Sequence, residues 1–253
     1  MRRVVFNQKG GVGKSSIAVN LAAIAASEGQ RTLVIDLDPQ GNASQYLLGT
    51  QAEPDHTAAD FFEQYVAFRL ANEGLDAFAT ATPFANLDLL PASPALAEIQ
   101  SKLEQRYKIF KLRDALNALG DTYDQVFIDT APAFNFYSLS ALIAADAVLI
   151  PFDCDDFSRQ ALYTLLERVA EVRADHNEAL RVEGIVVNQY QSNANLPQRV
   201  VAELREEDLP LLETLLPASV KMRESHEAAT PLVHFAPRHK LTQAFRSLYD
   251  ELG

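Results

Sequence analysis

Nine residues near the start of the chain, Gln8-Lys9-Gly10-Gly11-Val12-Gly13-Lys14-Ser15-Ser16, gather three glycines, two lysines and two hydroxyls. Glycine lets backbone N–H groups converge on an anion, and a helix N-terminus behind them adds partial positive charge. In such a loop Lys14 reaches the terminal phosphates of a nucleotide and the Ser15 hydroxyl ligates Mg2+. Gly10, Gly11, Val12, Gly13 and Ser16 complete the cradle. The usual pattern, G-x-x-x-x-G-K-[ST], asks for glycine where this chain has Gln8; here a second lysine, Lys9, precedes the glycine pair. The plainer alternative is a glycine-rich turn with two surface lysines.

Two carboxylate runs could act on a phosphate held there. The run Leu33–Asn42 reads as a strand that ends in Asp36 and Asp38 and breaks at Pro39 and Gly41. A carboxylate just past a strand and facing the loop can polarise a water for in-line attack on a γ-phosphate. The competing reading is that both aspartates cap a turn. The second run, Gln125-Val126-Phe127-Ile128-Asp129, is an apolar strand whose terminal carboxylate suits the hydration shell of Mg2+. Lys14, a carboxylate of the Asp36 and Asp38 pair, and Asp129 are the catalytic candidates of this pattern, with Ser15, Asp38 and Asp129 on the metal side.

Delivering these groups to one place requires strands that end side by side. Strand-like runs occur at 3–7, 32–36, 87–90, 125–129, 147–151 and 183–188, with a shorter one near 211–215. Helical patterns lie between them at 14–28, 94–119, 157–175, 195–207 and 239–252. The alternation predicts an α/β fold, a mostly parallel twisted sheet with helices on both faces, and a ligand at the carboxyl ends of the strands. Several runs are continuous in Val, Ile and Leu, as strands covered on both faces should be. Residues 50–82 are less regular; Thr57-Ala58-Ala59-Asp60 reads as a capping box opening a short helix. No linker divides the chain, so residues 1–253 are expected to form one domain.

Lys9-Gly10-Gly11-Val12-Gly13-Lys14-Ser15 resembles the deviant Walker A loop of the ParA/MinD superfamily of P-loop NTPases. The resemblance extends along nearly the whole chain. Asp36-Leu37-Asp38-Pro39-Gln40-Gly41-Asn42 is similar to that family's switch I, and Asp129-Thr130-Ala131-Pro132 to its switch II. The segment Pro151–Phe157 is similar to its P-x-x-C-E-x-F run, which makes Cys154 a structural position. The family implies ATP and Mg2+ as ligands and slow ATP hydrolysis. It also implies Lys9 crossing a dimer interface to the partner's nucleotide, and Asp38 orienting the attacking water. Asn188, ending Gly184-Ile185-Val186-Val187-Asn188, would bond adenine, and Pro217 would pack on the base. The chain is similar to the small ParA class, without an N-terminal helix-turn-helix.

Composition bounds what such a switch could drive. The net charge is −12, but residues 199–246 carry 7 Lys+Arg against 7 Asp+Glu, relatively basic for this chain. ParA relatives bind DNA non-specifically as ATP-bound dimers through this region, which implies Lys221, Arg223, Arg199, Arg238 and Lys240, with Arg205, as phosphate contacts. A solvated surface is the alternative, since several glutamates interleave them. The last helix spaces Leu241, Phe245 and Leu248 to pack on the core and ends acidic, Asp250-Glu251, which argues against a MinD-like membrane anchor. One cysteine excludes an intramolecular disulfide framework, and the expected location is the cytoplasm, on the nucleoid when ATP is bound. The expected partners are a second copy, DNA and an activating protein, the cargo being a plasmid, a chromosome region or a protein assembly. Rival readings are a membrane-bound spatial regulator and a metabolic ligase or kinase with the same loop.

Overall fold

The computed structural model describes residues 1–67, 71–154 and 158–253. Its strands are β1 (Arg2–Val5), β2 (Thr32–Asp36), β3 (Thr80–Ala81), β4 (Leu87–Leu90), β5 (Gln125–Asp129), β6 (Ala147–Asp153) and β7 (Arg181–Asn188). Among the described residues these form one sheet in the order β3-β4-β2-β5-β1-β6-β7, parallel except for the short edge strand β3. The strand that leads into the glycine loop, β1, lies centrally between β5 and β6. Side-chain alternation along the strands splits the core in two. Val4, Leu33, Ile35, Val126, Ile128, Val148 and Ile150 point into one buried cluster, and Val5, Val34, Phe127, Leu149 and Val186 into the other.

The helices are α1 (Lys14–Ser27), α2 (Asn42–Leu48), α3 (Ala58–Glu63), α4 (Ala95–Gln105), α5 (Lys111–Ala118), α6 (Phe136–Ala144), α7 (Ser158–Asp175), α8 (Asn195–Glu206), α9 (Val220–Glu227), α10 (Leu232–Phe235) and α11 (Lys240–Glu251). Helix α1 is buried on almost every side, from Ile17 to Ala26, because the sheet, α2, α10 and α11 all pack on it. Helix α11 lays Leu241, Phe245 and Leu248 on that same core, as its spacing predicts. Each such side chain contributes about 1.5–3 kcal/mol of burial, so α11 is a core element rather than a free amphipathic tail. No helix among the described residues is long and apolar enough to cross a membrane. The capping box at Thr57 forms as expected and opens α3.

Several expectations are corrected. The helix expected over 94–119 is two, α4 and α5, because the chain turns at Tyr107, which takes a left-handed φ of 54°. The stretch 211–215 is not a strand but touches β7 through the isolated bridge of Ile185 with Leu211. The Glu213 and Thr214 N–H groups donate to the Glu251 carboxylate instead of to a neighbouring strand. Helices α2, α6, α9 and α10 lie where no helix is expected. Residues 155–157 of the expected post-strand segment lie outside the described residues.

Candidate nucleotide-binding site

The loop between β1 and α1 is built for backbone approach. Asn7, just past β1, donates from Nδ2 to the Pro151 carbonyl (2.7 Å) and accepts the Lys9 N–H at Oδ1 (2.9 Å), fixing where the loop begins. Gly11 and Gly13 take left-handed φ values of 76° and 92°, and Gly13 is the N-cap of α1. Space at Gly13 is closed as well: a Cβ there would lie 2.2 Å from Asn188 Nδ2. That amide donates to the Val12 carbonyl at 2.9 Å, and Gln189 Nε2 donates to the Gly11 carbonyl at 3.0 Å. The end of β7 therefore props the loop from behind. Gly13→Ala should weaken nucleotide binding by at least about tenfold, read as the Kd of a fluorescent nucleotide, because the φ strains an L side chain and the methyl would push the Asn188 amide off the Val12 carbonyl.

Adjacent strand ends gather three carboxylates, two of them acting on one ammonium. Asp36 and Asp129 are register partners at the last positions of β2 and β5. Asp38 follows two residues further on, and all three carboxylates are buried; Asp129 and Asp38 act on the buried Lys14, whose Nζ donates to the Lys9 carbonyl at 3.1 Å. Burial lowers the Lys14 pKa, opposed by Asp129 and Asp38. Burial also raises Asp36, to about 6, although hydrogen bonds from Ser44 and the Asp38 N–H hold it back. Asp129 is raised well above the ordinary carboxylate range, first by burial and then by Asp36, with the Ser15 hydroxyl and Lys14 pulling the other way. Its Oδ1 accepts the Thr130 N–H, but its buried Oδ2 has no hydrogen-bond partner. An orphaned, fully buried carboxylate oxygen next to a serine hydroxyl and other carboxylates suits a hydrated divalent cation. Those residues fit Mg2+.

The two switch I aspartates differ. Asp36 Oδ2 accepts the Ser44 N–H and hydroxyl, at 2.8 and 2.7 Å, and so holds the first turn of α2. The turn-cap reading is correct for Asp36. Asp38 accepts the Gln40 N–H at 3.0 Å and also lines the cavity that runs past Gly10, Lys14, Ser15 and Ser16 to Pro132. A second cavity of about 550 Å³ opens beyond Gly11, Gly13 and Ser16 and is walled by Asn188, Gln189, Pro217 and Arg223. Phosphate-sized and base-sized spaces thus meet along one glycine loop.

Lys9 folds back on its own chain, with Nζ 2.8 Å from each oxygen of the Asp153 carboxylate. The basic candidates do not form one patch of equal members. Lys221 pairs with Glu224, and Arg199 with Glu203 on the separate helix α8. Arg205 pairs with Glu213. Arg223, Arg238 and Lys240 are exposed and make no ion pair among the described residues. Cys154 is half-buried beside Asp153. Sequence reading missed Asn7, Gln189 and His226, whose roles come only from the contacts that the fold creates.

The AAA domain family profile matches residues 3–182. The chromosome partitioning protein ParA of Myxococcus xanthus is 34% identical over 250 residues, covering 98% of this chain and 86% of that one. The chromosome-partitioning ATPase Soj of Thermus thermophilus is 35% identical over 254 residues, covering all of this chain and 95% of that one. The chain belongs to the ParA/MinD superfamily. It is similar in fold to apo McdA of Cyanothece, with a TM-score of 0.85, 21% identity and coverage of 100% and 99%. It is also similar to cobyrinic acid a,c-diamide synthase of Mycobacterium smegmatis with a bound ATP analog and magnesium. There the TM-score is 0.83, the identity 25%, and the coverage 98% and 92%.

Proposed function

We propose that this ParA-family protein is an ATP-dependent switch that closes into a homodimer, binds DNA without sequence preference, and releases it on hydrolysis. The observation that carries this reading is the convergence of the glycine loop, Lys14, Asp38 and the orphaned Asp129 oxygen at the ends of β1, β2 and β5. Gly10–Ser16 hold the phosphates, and Asn188 and Pro217 flank the base. Ser15 and Asp129 would hold a hydrated Mg2+, which would supply positive charge beside the phosphates. Asp38 holds the attacking water in line. Relatives with 34% and 35% identity that are named for chromosome partitioning support a role in distributing a cargo. A protein partner that speeds hydrolysis completes the cycle.

Lys9 is the residue that reaches the second subunit, and to do so it must leave Asp153. That pair is only partly buried, so exchanging it for a nucleotide phosphate loses little. The exposed Arg223, Arg238 and Lys240 are the DNA contacts that need no such exchange, with Lys221 and Arg199 available once their glutamates let go.

The testing experiment is DNA co-sedimentation of Asp38→Ala protein with ATP, ADP and no nucleotide at two salt concentrations. Asp38→Ala should cut turnover by about a hundredfold, the scale of a lost water-positioning base, and so hold the ATP state. Binding only with ATP, lost at the higher salt, is the expected result. No binding in any condition overturns the DNA reading, and normal turnover by Asp38→Ala overturns the water assignment. ATP-dependent dimerisation that Lys9→Ala abolishes separates the switch from the amide-forming ligase that the cobyrinic acid synthase likeness suggests.

A further inference from the structure

One wall of the phosphate cavity comes from a residue outside every motif. His226, on α9, enters the cavity beside Gly11, Lys14 and Ser16, and its Nε2 lies 3.1 Å from the Ser16 hydroxyl. The imidazole is held from behind. It packs on the Tyr46 ring of α2 with centroids 3.9 Å apart and planes at 32°. The Tyr46 hydroxyl is paired with Ser225, whose hydroxyl donates to the Thr230 carbonyl. Asn20 of α1 closes the frame, donating to the Tyr46 hydroxyl and accepting the Leu232 N–H. A histidine placed this firmly against the first turn of α1 is more than filler. Ser16 lines both the phosphate cavity and the base-sized cavity, so its hydroxyl stands at their junction, where the phosphate nearest the nucleoside must lie.

We propose that His226 is a positioning residue for the nucleotide. Its Nε2–H donates to Ser16 Oγ, which turns the Ser16 O–H toward the phosphate nearest the nucleoside and ties filling of the loop to helix α9. Burial lowers the His226 pKa, so the ring enters this contact neutral, with one N–H to give. The same helix carries Lys221 and exposed Arg223, and Arg223 also walls the base-sized cavity. A nucleotide that tightens the Ser16–His226 contact therefore orders the helix that bears basic side chains. The inference rests on the nucleotide reading of the loop and adds a sensor to it.

The test uses ADP, because the phosphate concerned is common to ADP and ATP. His226→Phe keeps the ring on Tyr46 and removes the donor, whereas His226→Gln keeps a donor of similar reach. His226→Phe should weaken ADP and ATP alike by about tenfold, raising KM while kcat at saturation stays unchanged. His226→Gln should recover most of the affinity. Ser16→Ala should cost at least as much, since it also removes the hydroxyl that faces the phosphate, and the double variant little more than Ser16→Ala alone, because the His226 contact is already gone. Hydrogen exchange of residues 219–230 should slow with ADP in the wild type and stay unchanged in His226→Phe. Unchanged affinity in His226→Phe, additive losses in the double variant, or exchange in the wild type that ignores ADP would each overturn the proposal. A wild type that binds neither nucleotide would overturn the nucleotide reading itself.

Discussion

Nucleotide-free Asp129→Asn protein is expected to melt about 2–8 °C above the wild type, while its Mg2+-dependent ATP turnover falls by about a thousandfold. The two effects share one cause. Asp129 is fully buried, faces Asp36 and Asp38, and leaves Oδ2 unpaired. Without a cation this is concentrated negative charge in a dry place, opposed chiefly by Lys14 and the Ser15 hydroxyl. Asparagine has the same shape without the charge, so the empty site relaxes by roughly 1–2 kcal/mol. Activity goes the other way, because the amide cannot fix a hydrated Mg2+ against the phosphates.

The pH dependence gives the prediction a sign. Asp36, at about 6, and Asp129, well above its ordinary 3.8, both bind protons more tightly in the folded chain than in the unfolded one. Their stabilising contribution is therefore complete below about pH 3.8 and is lost as pH rises through the folded values. Removing one charge also relieves Asp36. The melting gap between Asp129→Asn and the wild type should thus be small at pH 5 and wide at pH 7.5. The lowered His226 and His234 values act equally in both proteins and cancel in the difference. Mg2+ with ATP should narrow the gap, since the cation supplies the missing positive charge to the wild type only. Thermal melts at both pH values check this; equal gaps would show that the carboxylate cluster is not under strain.

How legible the site was follows from how local its geometry is. The glycine loop, Asp38 and Asp129 could be read because each sits at or just past a strand end, and parallel strands align their carboxyl ends without further instruction. The core face of α11 could be read from spacing alone. What Asp36 does instead could not be read, because Ser44 meets its carboxylate only once the first turn of α2 folds back onto the end of β2. The break between α4 and α5 was hidden because Tyr107, the residue in a left-handed conformation, carries no glycine or proline signal. Helix α9 lies in a run rich in charge with little apolar periodicity, and its place depends on Tyr46 and Asn20, which arrive from elsewhere in the chain. His226 was invisible for that reason: its partner Ser16 is 210 residues away.

Arg3 marks the opposite limit, a residue that looks like part of a basic N-terminus and is instead 2% exposed. Its Nε bonds Glu183 Oε2 at 2.7 Å, and its other nitrogens reach Glu183 Oε1, Gln125 Oε1 and the Leu252 carbonyl. The guanidinium thus joins β1, β5, β7 and the end of the last helix at the start of the sheet. Glu183→Ala leaves that cation buried with only neutral acceptors, which should cost about 3–5 kcal/mol. For a chain of this size the melting midpoint should fall by roughly 6–20 °C. Loss of charge complementarity, not of bulk, is the claimed cause, so the double variant Arg3→Met with Glu183→Leu should melt well above Glu183→Ala. A double variant as unstable as the single one would mean that the residues matter for packing alone. Raised salt should leave the single variant's deficit unchanged, because a buried pair is screened far less than an exposed one such as Arg31 with Asp124. Folded Glu183→Ala should still bind nucleotide with wild-type affinity, since Glu183 stands near the start of β7 and the phosphate loop gathers at the strands' far ends.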